Sequence, residues 1–302
     1  MMRNIIQNLS LKGGIVAMVA LSLYSCGDGT EGKGTNDTIP ADTLIEHKSD
    51  NSFYSVPSPI QLGQMLQRAG ATYDKKVLNP TENASRYSST SSKALNLGVY
   101  GADLSYSAVF NQTQETMSYL AASKKLAEEL GITASFSADM MKRMEKNAGN
   151  KDSLLQVISE LFLSSNEALK ENDQSHISVL VLAGGFIEGM YVGTQVAKTV
   201  KDNKAIYGRV AEFRGSLSNM IMLVSTVNSG EQAPDILADL KSIKAIYDES
   251  AAPAAEEKPS TTVDTTKKTM TIGGKAKYSL TPDQIEKITS LVATIRTKIT
   301  KP

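Results

Sequence analysis

Residues 176–201, HISVLVLAGGFIEGMYVGTQVAKTVK, form the most apolar run beyond the first 25 residues. Their small residues are spaced to a rule. Gly185, Gly189, Gly193 and Ala197 recur every fourth position, which on a helix makes one slowly winding strip. Each internal glycine costs about 1 kcal/mol relative to alanine, so three at helical spacing imply that another backbone comes close. The run is expected to be a core helix with the other helices packed around it. The apolar run from 178 to 187 is only ten residues long before the charge of Glu188. That is about half a bilayer, so a buried helix is favoured over a membrane span.

The N-terminus carries Arg3 and Lys12, then an apolar stretch from 13 to 24, then Leu23-Tyr24-Ser25-Cys26. This reads as a signal peptide over 1–25, too short to span a bilayer as a helix. The tetrapeptide ending at Cys26 is similar to the lipobox of bacterial lipoproteins, with Tyr24 a loose fit. The resemblance implies that Cys26 becomes the acylated first residue of the mature chain, by palmitate or a similar fatty acid. Cys26 is the only cysteine, so an exported chain has no internal disulfide and depends on burial for stability. The 302 residues are ample for that core. Lysine plus arginine and aspartate plus glutamate number 32 each, and losing Arg3 and Lys12 with the signal leaves 30 against 32, about −2. No basic block interleaved with aromatics appears, so nucleic acid is not an expected partner.

Residues 26–52 are rich in Gly, Thr, Asp, Asn and Ser and read as a flexible tether. Ser58-Pro59 has the residue types of a helix start, and helices are expected over 59–70, 74–78, 88–111, 112–130, 137–149, 152–172, 176–201, 204–228 and 234–249. In the third of these, Ala94, Gly98, Ala102, Ser105 and Val109 make a second small-residue ridge. Gly131-Ile132 has the pattern of a glycine C-cap with a hydrophobic follower. A polar linker is expected over 251–268. Beyond it a hairpin is expected, with Thr269 to Ile272 pairing to Ala276 to Ser279 across Gly273-Gly274, and then a helix begun by Thr281-Pro282-Asp283-Gln284. The domain reading is therefore a helical body over 53–250 and a small C-terminal element over 269–302.

Phe53 to Pro59, followed by Lys93-Ala94-Leu95-Asn96-Leu97-Gly98-Val99-Tyr100-Gly101-Ala102-Asp103-Leu104-Ser105-Tyr106, resembles a group of uncharacterised cell-envelope lipoproteins of the Bacteroidota. The resemblance runs through the helical body. It implies export and anchoring and supplies no catalytic residue. Leu97 to Tyr106 also lies over Leu182 to Tyr191 without a gap, matching Asp103 to Glu188 and Tyr106 to Tyr191. So short a match arises easily between glycine-rich helices, and nothing is built on it.

Asp103, Tyr106, Glu188 and Tyr191 are the candidate ligand-binding residues, because acids inside apolar helices are where chemistry is sought. The helical wheel argues for a plainer role. Asp103 shares a sector with Asn96 and Ser107, and Glu188 one with Gln195 and Thr199, so both acids are expected on solvated polar faces. No catalytic residue, cofactor or metal is expected. Neither His47 nor His176 has a glutamate three residues before it or a second histidine at helical spacing. No Gly-x-Ser-x-Gly or phosphate loop occurs. The methionines, Met140, Met141, Met144, Met190, Met220 and Met222 among them, read as core filler. The expectation is an all-α, multi-helix bundle-like body of some eight helices with a small C-terminal hairpin and helix, lipid-anchored to the outer membrane and facing the periplasm. Its leading role is non-enzymatic interaction or assembly with an envelope protein partner. The alternative is a helical binding protein for a small apolar or amphipathic ligand. An apolar interhelical pocket favours the second role and a large exposed apolar patch the first.

Overall fold

Helix boundaries in the computed structural model follow local chemistry closely. It describes residues 44–49, 52–200, 203–227, 233–249, 260–264, 269–273 and 279–302; the signal segment, Cys26 and the first part of the tether lie outside the described residues. Helix α1, Pro59–Arg68, opens on a capping box in which the Ser58 hydroxyl accepts from the Gln61 N–H and the Gln61 side chain accepts from the Ser58 N–H. Two 3₁₀ turns, Lys75–Val77 and Thr81–Ser85, replace the single short helix expected at 74–78 and lead into α2, Thr90–Val109. Then follow α3, Thr113–Glu129, a 3₁₀ turn at Ala134–Phe136, α4, Ala138–Lys146, α5, Lys151–Glu171, α6, Ser175–Thr199, α7, Lys204–Thr226, and α8, Ala233–Asp248. The last helix, α9, Pro282–Thr300, repeats the capping box with Thr281 and Gln284. The fold is all-α and bundle-like. Asn111, at φ 59°, turns α2 into α3, with the Gln112 N–H donating to the Ser107 carbonyl at 2.9 Å. Gly131, at φ 79°, ends α3 as expected, and Ile132 N–H donates to the Ala127 carbonyl at 2.8 Å.

The centre is the pair α2 and α6. Every residue of α2 from Ala94 to Val109 is buried. A Cβ on Gly98 would lie 1.9 Å from the Val181 carbonyl oxygen, and one on Gly184 2.0 Å from that of Leu95, so the two backbones touch and only glycine fits. Contacts advance together along both helices, Leu95 with Gly184, Gly98 with Gly185 and Asp103 with Glu188, so they run parallel. The expected glycine strip is divided between two neighbours. Gly184 and Gly185 meet α2, whereas Gly189 and Gly193 face Leu62 and Leu66 of α1. Among the described residues α6 is the one helix long and apolar enough to cross a membrane, and 83% of its most apolar window is buried within the protein.

Two antiparallel hairpins accompany the helices. Strand β1, Leu44–Ser49, pairs with β2, Ser52–Pro57, where residues 44–52 were expected to be tether. The ladder runs from Leu44 opposite Pro57 to Ser49 opposite Ser52. Strand β3, Ser260–Asp264, falls in the expected linker. It pairs with β4, Thr269–Gly273, which therefore takes its partner from the preceding segment rather than from 276–279. A further correction concerns the expected boundary at 250. Helix α9 packs on α6, α8 and α2 and belongs to the same core.

Candidate functional site

Three of the four candidate residues come together, and a fourth group that sequence reading missed completes them. Asp103 of α2 and Glu188 of α6 are both 0% exposed and lie within hydrogen-bonding reach of each other. The expected solvated faces are thus corrected at both acids: α2 is buried from Ala94 to Val109 and Glu188 lies in the buried middle of α6, so both carboxyls point into the protein. From α9, Arg296 donates Nε to Glu188 Oε2 at 3.0 Å and a terminal NH2 to Oε1 at 3.2 Å, a two-point pair. The guanidinium lies 4.7 Å from the centre of the Tyr191 ring. Asp103 Oδ2 accepts from the Asn79 N–H at 3.1 Å, while Oδ1 is buried without a hydrogen-bond partner.

Burial, and then the neighbouring Glu188 charge, raise the Asp103 carboxyl well above its ordinary value. Burial also raises Glu188, opposed by Arg296 and by a hydrogen bond from Asp103. Burial therefore favours the neutral acid at Asp103, beside a Glu188 carboxylate already paired with Arg296. One cation faces one anion and one neutral acid, an arrangement a dry interior tolerates. It ties α2, α6 and α9 together. Side chains before and within α2 also satisfy the last carbonyls of α9: Asn96 Nδ2 donates to Ile299 O at 2.9 Å and Tyr87 OH to Thr300 O at 3.2 Å.

Tyr106 belongs elsewhere. Its ring stacks on Tyr73 at 5.4 Å, and its hydroxyl donates to Thr72 O at 3.0 Å and accepts from the Asp74 N–H at 3.2 Å. Burial pushes it up to about 12. It pins the loop after α1 and takes no part in the acid pair. His176 is exposed at the start of α6. Among the described residues no group of three His, Cys, Asp or Glu is placed to hold a metal. A signal for Arg296 was present: it follows the α9 apolar positions Ile285 and Val292 by eleven and four residues, within about 40° of each on a wheel.

The second feature is an apolar crevice between α2, α5 and α6. Bare backbone at Gly98, Gly101 and Gly185 forms much of one wall, and Leu97, Leu104, Leu161, Leu169, Val181 and Phe186 line the rest. Its volume is about 60 Å³ and no charged residue lines it. Phe162 of α5 lies over the gap, 2.8 Å from where a Cβ on Gly101 would be. Ser123 of α3 contributes a hydroxyl that is buried without a hydrogen-bond partner. The contrast with other helical hydroxyls is plain, since Ser105 donates to Gly101 O at 2.8 Å and Ser107 to Asp103 O at 2.9 Å. Nothing in a single sequence marks Ser123, because the crevice arises from several helices brought together and not from local spacing. Comparison of the chain with protein-family models, with curated proteins and with solved structures finds no match.

Proposed function

We propose that this is a lipid-anchored lipoprotein of the cell envelope whose helical body binds a small apolar or amphipathic ligand in the crevice between α2, α5 and α6, without enzymatic activity. The crevice carries the reading. It is interhelical, uncharged and lined by apolar side chains with a few hydroxyl and amide groups, the composition of a small-molecule site. Two further observations favour a ligand over a docked protein or a substrate. Among the described residues only Leu163 and Met222 are large hydrophobic side chains exposed to solvent, at 41% and 45%. The acid pair is fully enclosed and already matched to Arg296, so it serves the packing of helices. Anchoring at Cys26, and membership of the Bacteroidota envelope lipoproteins, rest on the lipobox and on the residues quoted above.

Thermal unfolding of the purified protein with n-hexane tests the proposal, since a ligand that binds only the folded state raises Tm. The expected result is a saturable rise that Leu182→Trp, which fills the crevice from a half-buried position on α6, abolishes while remaining folded. No rise in the wild type, or an equal rise in the variant, overturns it.

A further inference from the structure

We propose that the crevice takes the oxygen-bearing end of a neutral, unbranched aliphatic chain, such as an alcohol, aldehyde or methyl ketone terminus, entering oxygen first to meet the Ser123 hydroxyl. This rests on the ligand reading above and adds the chemistry and direction of the ligand. The closed and open ends of the crevice are distinguishable by burial. Leu104, Ser123 and Leu161 are buried, whereas Phe162, Ser165 and Asn166 on α5 and Leu182 on α6 are only half-buried and form the rim. Ser123, 2% exposed, therefore sits at the inner end, and its hydroxyl has no partner within the protein.

A buried hydroxyl in that state is a hydrogen-bonding group awaiting one. It can donate to a carbonyl or exchange a bond with an alcohol, so a neutral oxygen satisfies it and a methyl group does not. A carboxylate or ammonium is excluded from the inner end, because no charged side chain lines the crevice to balance it. Shape narrows the choice further. At about 60 Å³ the space is well under the roughly 150 Å³ that admits a benzene ring, so it takes only the narrow end of a polymethylene chain and the remaining carbons extend beyond it. The chain behind the oxygen then runs outward past Phe162, whose ring sits against the backbone of Gly101.

Calorimetric titration of the folded protein with 1-hexanol, n-hexane and hexanoate, in the wild type and in Ser123→Ala, separates the possibilities. The expected result is that 1-hexanol binds, that Ser123→Ala weakens it roughly 2- to 10-fold, the worth of one neutral hydrogen bond, and that n-hexane binds both proteins equally. If 1-hexanol and n-hexane bind and neither responds to Ser123→Ala, the role of the hydroxyl is overturned and the crevice remains a ligand site. Hexanoate binding as tightly as 1-hexanol, with no effect of the substitution, means an acyl tail enters methyl-first and overturns the direction proposed. If no probe binds the wild type, the ligand reading itself falls with it.

Discussion

Asp103 and Glu188 have the same chemistry and adjoining places, yet their substitutions are expected to behave oppositely. Glu188→Gln removes the anion facing Arg296, whose side chain is 13% exposed, and leaves a buried cation unpaired. Urea unfolding should show a loss of about 3–5 kcal/mol, and a change under about 0.5 kcal/mol would mean that the pair is not what holds the arginine. Asp103→Asn reproduces the protonated acid, with an amide donor toward Glu188 and an oxygen for the Asn79 N–H, so near-neutral pH should find it as stable as the wild type or more so. The sign of the pH dependence follows from the raised value of Asp103. A raised value means that the folded protein binds this proton in a range where the unfolded chain, at the ordinary 3.8, has released it. That contribution is complete below the ordinary carboxylate range and is lost as pH rises through the folded value. Stability of the wild type relative to Asp103→Asn should therefore fall as pH is raised from about 4 to 8. A constant difference across that range would show that Asp103 is ionised.

At the scale of elements, the close approach of α2 and α6 and the docking of α9 make separate claims. Gly98→Ala places a methyl group into the Val181 carbonyl, which only a shift of backbone relieves, and should cost about 1–3 kcal/mol or more. Gly189→Ala meets the end of the Leu62 side chain, which can move, and should cost clearly less; equal losses in thermal melts would place the tight crossing elsewhere. Removing residues 279–302 strips Arg296 from Glu188 and uncovers Asn96 and Tyr87, so the remaining chain should lose its cooperative melt by circular dichroism. A sharp melt in the truncated protein would contradict the integration of α9. Much of this level was legible in the sequence. The starts at Ser58-Pro59 and Thr281-Pro282, the Gly131 cap and the apolar periodicity of α5 and α7 are local signals, and they placed helices within a few residues. Partners were not legible, because they are set across the chain. The wheel that assigned Asp103 to a solvated face assumes that a helix has a side toward water, and α2 has none. The first hairpin and strand β3 were missed for a related reason: 44–52 and 260–264 read as tether and linker until a second strand supplies their backbone hydrogen bonds, whereas 269–272 was expected as a strand and only its partner differs.

For the whole molecule, the proposal is an anchor at Cys26 joined to a helical body that carries an uncharged crevice. Cys26→Ser should leave the circular dichroism spectrum and melt of the body unchanged while moving the protein from washed membranes to the soluble fraction, since the most apolar helix, α6, is already buried. Undiminished membrane retention of that variant would show that something other than acylation holds it. The central claim is that the body exists to carry a small neutral molecule. Mass spectrometry of small molecules extracted from protein purified natively out of its own membranes, wild type beside folded Leu182→Trp, tests this most directly. The account expects a neutral aliphatic species bearing a terminal oxygen, enriched on the wild type and missing from the variant. The same small-molecule profile on both proteins would contradict it.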